Sequence, residues 1–321
     1  MPYLDYNSWP RMVQDFFRRF ADCPELASTS LNRKYGYFEL SRFFGPDAID
    51  PLSVSVRMHD EPFEFYDDRI ARFAMEVERT MTTEGRIHTG PNILKLVTAD
   101  LDGLDKKLTV QPCRYGHHAA SCLALDYKQE SFGQTDGCLR EYYLSQYPSR
   151  ALCDNPLAVC LGVAAWVIVQ QEGGDSLLIV RRSAGLSSLE STLGPSMAGS
   201  VEVSNLGDNL FDLLENAISD EAAEELSLSS DEYRLVPLAY GREVFRGERP
   251  QLFAALVTEL SAREMTEKLD KLDAETREFD EFFFRPLTGI LEGKDRVPPE
   301  INFEAAMNLL LLREYLSRHP Q

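Results

Sequence analysis

The spacing of apolar and polar residues predicts a chain of alternating helices and strands. Apolar residues recur every three or four positions, as on one face of a helix, in several segments. These predicted helices lie at 9–20, 68–80, 138–146, 208–226 and 302–317. Short runs rich in β-branched and aromatic residues predict strands. The predicted strands lie at 93–97, 108–111, 122–127, 163–169, 177–180, 235–240 and 252–259. This mixture favours the α/β class.

Two local signals suggest how the chain is divided. A Gly-rich turn at 171–175 joins two strand-like runs, so we expect a β-hairpin there. The sequence Asp154-Asn155-Pro156 favours a turn or a linker. A chain of 321 residues has room for two domains, each with its own core. We therefore expect a smaller α+β domain of unassigned role at 1–154 and a second domain at 155–321.

The predicted helix at 208–226 lies in an unusually acidic part of the chain. Between Arg182 and Arg234 there is no Lys or Arg, whereas eleven residues are Asp or Glu. Such a segment either exposes its charges to water or binds a cation, and composition alone leaves both alternatives open.

Helical geometry favours binding of a cation over exposure of the charges to water. A helical wheel places Glu221 and Glu225 within the apolar stripe around Ile218, Glu224 at its margin and Asp220 on the opposite side. Two carboxylates four residues apart on a buried face repel each other and lose hydration. A divalent metal would offset both costs, and oxygen ligands suit Mg²⁺ or Mn²⁺.

The residues around this helix resemble the signature of the Nudix hydrolases. That signature reads Gly, five residues, Glu, seven residues, Arg-Glu, an aliphatic residue, any residue, Glu-Glu, any residue, Gly and an aliphatic residue. Glu221, Glu224 and Glu225 match its Glu and its Glu-Glu. A hairpin ending at Arg182 and a Gly-rich loop at 194–200 precede the helix. The resemblance covers 157–321 and implies a Nudix-like α/β/α sandwich around a mixed sheet.

The resemblance also implies a chemistry for the three carboxylates. In the family they hold Mg²⁺ ions that activate water against a diphosphate. Glu221, Glu224 and Glu225 are thereby implied to be both the metal ligands and part of the catalytic group. Mn²⁺ is the alternative metal.

The chain departs from the signature at three points. Asp220 stands in place of the Arg, and Ser227 stands in place of the second Gly. The segment between Gly199 and Glu221 is seven residues longer than the signature allows, so Gly199 fits only if the chain carries inserted residues, among them 203–206, and Asp208 replaces the following Glu. An acid cannot make the charge-assisted hydrogen bond attributed to the Arg. We therefore expect a slow hydrolase, in which Asp220→Arg raises turnover or leaves it intact.

Other residues are candidates for contacts with the substrate. Basic side chains suit the far phosphate or the sugar, and the candidates are Arg181, Arg182, Arg242, Arg246 and Arg249. Ser200, in the Gly-rich loop, is a further candidate for binding substrate. Glu281 is a candidate general base contributed by a later loop. The alternative for Glu281 is an acid that only caps the aromatic run at 282–284.

Two functions of different classes are compatible with these residues. The first is metal-dependent hydrolysis of the diphosphate linkage of a nucleoside diphosphate joined to another group. The second is a catalytically decayed Nudix-like module that binds a nucleotide or a protein partner. Acids kept on a buried helix face favour the hydrolase, because a dead site gains nothing from them. Asp220 and Ser227 favour decay.

Charge and cysteine content narrow the partners. With 33 Lys and Arg against 52 Asp and Glu, the net charge of −19 would repel nucleic acid or anionic lipid over most of the surface. No apolar run approaches the ~20 residues that a bilayer span needs, and the first residues lack the basic and then apolar pattern of an export signal, so we expect a cytoplasmic protein that binds no membrane. A homodimer is left open. Cys113, His117, His118 and Cys122 lack standard zinc-ligand spacing, which favours reduced thiols over a zinc site.

Overall fold

The computed structural model describes most of the chain beyond its first 36 residues. The described residues are 37–85, 92–127, 138–147, 154–184, 189, 191–243, 246–273, 277–291 and 301–319. The helix predicted at 9–20 lies outside them. The strands are β1 (Tyr37–Arg42), β2 (Ser55–Met58), β3 (Asn92–Asp100), β4 (Lys107–Arg114), β5 (Gly162–Gln170), β6 (Ser176–Arg182), β7 (Leu193–Gly194), β8 (Met197–Ser200), β9 (Tyr233–Glu243), β10 (Arg249–Ser261) and β11 (Phe279–Pro286). The helices are α1 (Asp68–Thr83), α2 (Tyr115–His118), α3 (Leu139–Gln146), α4 (Leu210–Leu226), α5 (Ala262–Leu269), α6 (Leu287–Leu291) and α7 (Phe303–Arg318).

Most of the predicted elements are present, and one is wrong. The hairpin of β5 and β6 forms as expected, and its turn uses Gly173 and Gly174 at positive φ. In place of the strand predicted at 122–127, the chain forms a π-helical turn, Ala119–Leu123, that continues α2. Ser121 Oγ donates to the carbonyl of His117 one turn earlier, and the small buried residues of this segment permit close packing. An apolar run this short does not distinguish a strand from a buried helical turn.

The main sheet is mixed and lies between two helical layers. Its strand order is β1-β9-β10-β5-β6-β11, and β10 pairs with β5 in parallel whereas the other pairs along this order are antiparallel. Residues of β5 alternate between two cores, since Val163, Ala165 and Val167 pack on the side of α4. Ala164, Trp166 and Ile168 pack on the side of α7. This arrangement confirms the α/β class and the sandwich around a mixed sheet.

Residues from before position 154 are integrated with the main sheet. Strand β1 extends this sheet by pairing with β9. A second sheet, of order β2-β4-β3, is hydrogen-bonded to the residue before β5 and to the residue after β8: Leu161 N donates to Leu94 O, and Leu94 N donates to Val201 O. One hydrophobic core includes residues from α1, β3, β5 and α4. This core is continuous across residue 154, and the division into two domains there stays a prediction.

None of the described helices combines the length and the apolar character needed to cross a bilayer.

Cys113, His118 and Cys122 belong to the packed interior. Cys113 and Cys122 are buried free thiols, and Cys122 Sγ donates to the carbonyl of Ala158. His118 Nδ1 contacts the same carbonyl. These contacts are those of packed core side chains.

Candidate functional site

Helix α4 presents its acids on the side that faces the Gly-rich loop. Asn209 caps its first turn by accepting a hydrogen bond from Asp212 N. The buried residues Leu214, Ile218 and Ala222 fix its rotation against the sheet. With this rotation, Glu221 and Glu225 are partly buried, whereas Glu224 is exposed at the margin, as the wheel predicts.

The carboxylates of Glu221 and Glu225 lie side by side, one turn apart, and share a hydrogen bond. The loop below them is shaped to admit Glu221, because a Cβ at Gly199 would overlap its carboxylate. The backbone of the preceding residue, Ala198, forms a hydrogen bond with Glu225. Thus β8 and its glycine form one wall of the site, and α4 forms the other.

Both carboxyl groups hold their protons more tightly than a free Glu side chain. Burial raises the pKa of Glu221 to about 8, and the negative charges of Glu278 and Glu224 act in the same direction. Burial also raises the pKa of Glu225 well above its ordinary value, and the negative charge of Glu221 raises it further. A pair of acids in this state carries at most one charge near neutral pH unless a cation joins it.

Glu278, which the sequence did not identify, belongs to this acidic cluster. It lies just before β11, and burial raises its pKa while Arg182 opposes the shift. The guanidinium of Arg182 lies 3.9 Å from its carboxylate and also lowers the pKa of Glu225. Arg182 Nε is buried and has no hydrogen-bond partner in the described part of the chain. Among the candidate arginines, Arg182 is therefore the one placed at the carboxylates.

Glu281 and Arg181 lie away from the carboxylate pair and bind each other. Arg181 Nε donates to Glu281 Oε2 at 2.8 Å, and 65% of the Glu281 side chain is exposed. An irregularity in the pairing of β11 with β6, between Phe279 and Glu281, decides which acid faces the cluster. The general base predicted at Glu281 thus has an exposed ion pair as its setting, and Glu278 has the position expected of a group at the site.

Arg242 and Arg246 take part in a buried ion-pair network at the hairpin between β9 and β10. Arg242 pairs with Glu248, which also accepts from Tyr143 Oη at 2.7 Å. Arg246 pairs with Glu243 and Glu304. Both guanidinium groups thus pair with acids of the chain, and their contact with substrate stays a prediction.

Arg249 and Ser200 lie directly under the glycine loop. Arg249 Nη2 donates to Gly199 O at 3.1 Å and to Ser200 Oγ at 3.3 Å. Burial lowers the pKa of Arg249, and the neighbouring charge of Arg246 acts in the same direction. These contacts support the loop that admits Glu221. They place both residues next to the site, with Arg249 beneath its wall.

The departures from the family signature have structural explanations at two positions. Ser227 ends α4 in the left-handed conformation with φ of 54°, the conformation that favours glycine. The serine therefore keeps the backbone geometry at some cost in strain. Asp220 accepts a hydrogen bond from Asn205 Nδ2 at 2.6 Å. The acid in place of the signature Arg is thus engaged by the inserted segment.

The donor set at the carboxylates fits a hard divalent cation. No three His, Cys, Asp or Glu side chains of the described ranges converge closely enough to hold a metal ion as placed. Glu221 and Glu225 nevertheless supply adjacent carboxylate oxygens, the ligand type that Mg²⁺ prefers. Glu224 and Glu278 are the further acids whose charges act on Glu221. Their mutual repulsion would fall if a cation lay between them.

Comparisons with known proteins give structural neighbours only. No protein-family model and no curated protein sequence matches the chain. A MutT/Nudix family protein from Listeria innocua is 17% identical, with 50% of this chain and 94% of that one covered and a TM-score of 0.34. The Nudix domain of Shewanella oneidensis NrtR, complexed with ADP ribose, is 15% identical, with 55% and 97% covered and a TM-score of 0.33. An Ap4A hydrolase from C. elegans is 13% identical, with 51% and 100% covered and a TM-score of 0.31. NrtR has also been solved with a 27mer DNA. Each of these three structures covers about half of this chain.

Proposed function

We propose that this chain is a Mg²⁺- or Mn²⁺-dependent hydrolase that cleaves the diphosphate linkage of a nucleoside diphosphate joined to another group. The observation that carries the proposal is the adjacent pair Glu221 and Glu225, held between α4 and the Gly199 loop with raised pKa values. Two carboxylates in such a place destabilise a fold that does not use them. Their retention supports a functional role.

In this proposal the carboxylates hold the cation and the surrounding residues orient them. Glu221, Glu225 and Glu224 would be the ligands, and Glu278 is a further acid whose charge acts on both Glu221 and Glu225. A bound divalent cation supplies charge neutralisation at the phosphates and a more acidic water. Arg182 is suited to a phosphate oxygen, because its side chain lies at the cluster and its Nε is buried without a partner among the described residues.

The cation also addresses the charge of the whole molecule. At a net charge of −19, the protein would repel a diphosphate over most of its surface. A cation at the acidic cluster reverses the local field where the diphosphate must bind. We further propose that the protein acts on small molecules, since general binding of nucleic acid conflicts with this charge. We also propose that the protein is cytoplasmic.

The alternative function, a decayed module that binds a nucleotide or a protein partner, is favoured by one specific observation. In the described residues the acids near Glu221 and Glu225 do not converge into a three-ligand group. A binding module needs the wall at Gly199 and the Arg182 side chain to hold a ligand, but it does not need to catalyse a reaction. The two functions therefore differ in one measurable property, the release of product.

The experiment compares the wild type with Glu225→Gln in a substrate panel containing Mg²⁺ or Mn²⁺. The panel includes ADP-ribose, diadenosine tetraphosphate, nucleotide sugars and nucleoside triphosphates, and it is scored for monophosphate or phosphate released. We expect Glu225→Gln to lower turnover by about 10²-fold or more, because the amide keeps the volume and loses the charge. It should also lose the metal-dependent rise in melting temperature.

Glu215→Gln is the matched control. Glu215 is exposed on the same helix, so its variant removes one negative charge without touching the pair. It should retain both turnover and the response to metal. Equal responses to metal in wild type and Glu225→Gln would contradict the metal assignment. A response to metal without product from any substrate would favour the binding module.

A further inference from the structure

Two departures from the family signature meet in space. The segment at 203–206, which has no counterpart in the signature, folds as a 3₁₀ turn at Val203–Asn205. Asn205 Nδ2 of this turn donates to Asp220 Oδ2 at 2.6 Å. Asp220 is the residue that replaces the signature Arg. The inserted segment therefore supplies the donor of this hydrogen bond, and the substituted residue supplies its acceptor.

The side chain and the backbone of Asn205 are both hydrogen-bonded within this arrangement. It is 3% exposed, and its Oδ1 accepts from the backbone N of Glu202 at 2.7 Å. Its own backbone N donates to the carbonyl of Glu202 at 3.1 Å, and the two residues form a capping box. Its carbonyl accepts from Asn216 Nδ2 at 3.3 Å. The turn is thus attached to α4 at two positions one helical turn apart, Asn216 and Asp220.

The attached turn connects the glycine loop to the helix that carries the carboxylate pair. Glu202 follows Gly199 by three residues, and it forms an isolated bridge with Ile93 of β3. Its carboxylate also accepts from Ser204 Oγ at 3.1 Å and lies close enough to raise the pKa of Glu221. Any shift of the turn relative to α4 therefore moves the loop whose glycine is in contact with Glu221.

We propose that the Asn205–Asp220 hydrogen bond is a positioning device that takes over the orienting role of the signature Arg. It holds residues 199–205 against α4, so that the Gly199 wall keeps Glu221 in register with Glu225. Neither residue touches the substrate or the reacting atoms. This inference rests on the proposed hydrolase function.

The chemistry explains why the two departures belong together. A buried amide without an acceptor pays a desolvation cost, so Asn205 requires an acceptor at position 220. An Arg there would bring donors towards the donor Nδ2. We therefore expect Asp220→Arg to lower turnover in this chain, contrary to the expectation from the signature alone.

An exchange experiment tests the hydrogen bond directly. In Asn205→Asp, two carboxylates face each other, whereas in the double variant Asn205→Asp with Asp220→Asn the donor and the acceptor are exchanged. We expect Asn205→Asp to lower kcat by about 10- to 100-fold, as a misplaced ligand does. The KM for substrate should stay unchanged, and the Mn²⁺-dependent rise in melting temperature should shrink. The double variant should restore both properties.

Each outcome decides between positioning and a merely structural role. Asp220→Ala, at an exposed position, replaces Asn205→Asp if the latter does not fold. If Asn205→Asp keeps wild-type turnover and its response to Mn²⁺, or if the double variant is no better than the single one, the positioning role is overturned. A wild type that responds to no divalent metal overturns the proposed function itself, which distinguishes the two failures.

Discussion

At the scale of single residues, the pair Glu221 and Glu225 links protonation to folding. The pKa of Glu221 is about 8 in the folded chain, against an ordinary value of 4.5, chiefly because of burial. Between these two values the folded state binds a proton that the unfolded state releases. The contribution of this group to the free energy of unfolding is therefore largest below pH 4.5 and falls as the pH rises towards 8.

We accordingly expect the metal-free protein to lose stability from pH 5 to pH 8, and Mg²⁺ to reduce that loss. The measurement is the urea midpoint across this range, with EDTA or with Mg²⁺. Glu225→Gln should show a shallower dependence on pH without metal, because it removes one of the two coupled acids. A urea midpoint that rises across this window in EDTA, and rises less in Glu225→Gln, would contradict the assignment.

The glycine of the loop gives a second prediction at this scale. Gly199→Ala should displace the Glu221 carboxylate, because the new Cβ would occupy its position. We expect turnover and the metal-dependent rise in melting temperature to fall together, by an amount comparable to Glu225→Gln.

Gly173→Ala is the control for this variant. Gly173 has φ of 96° and open space around it, so alanine there costs about 1 kcal/mol of backbone strain and touches nothing at the site. Its melting temperature should fall while its response to metal stays that of the wild type. The opposite ranking of the two variants would refute the role given to Gly199.

The positions of Glu221 and Glu225 could be predicted because helical periodicity fixes which residues share a face. Their partner Glu278 could not. Residues 277–281 contain four charged side chains, and which acid faces the cluster depends on an irregular strand register between Phe279 and Glu281. No periodicity within so short a segment specifies such a register. The arginines at 242 and 246 illustrate the same limit, since their partners Glu248 and Glu304 are set by tertiary packing.

At the scale of elements, the start of β11 places Glu278 and Glu281 in different surroundings. We expect Glu278→Gln to reduce turnover by about 10-fold or more, because Glu278 acts on both carboxylates of the pair. Glu281→Gln should leave turnover unchanged and cost at most about 1 kcal/mol of stability, as for an exposed ion pair. Parallel kcat measurements on the two variants check this prediction. Equal losses of kcat would show that position along β11 does not separate the two acids.

Elements that bury a continuous stripe were easier to predict than elements defined by their partners. Helix α4 and the β5–β6 hairpin carry their own signals, namely helical spacing and a Gly-Gly turn. Strand β1 was not predicted, because its pairing with the edge of β9 is a tertiary contact that its own short sequence does not specify. The turn at Ala119–Leu123 was misassigned because its short apolar run lacks a period.

At the scale of the whole molecule, the continuous core predicts that the two halves do not fold independently. The backbone of Leu210, at the start of α4, donates to Val54, and Val56 donates to Asp208. A fragment of residues 155–321 would lack these bonds and expose core residues that now pack against α1 and β3. We expect this fragment to be insoluble or to lack a cooperative thermal transition, measured by circular dichroism against the full chain. A soluble fragment with a sharp transition would show that the division at 154 separates two domains after all.

The pairing of β1 with β9 also sets an order of events during synthesis. Tyr37 lies opposite Glu243, so about 200 residues must be added before the first strand has its neighbour. At roughly 5–20 residues per second, translation of that interval takes about 10–40 s. Throughout this time β1 is without its partner strand β9. A ribosome that stalls before residue 243 would therefore leave β1 without the strand that it pairs with in the described structure.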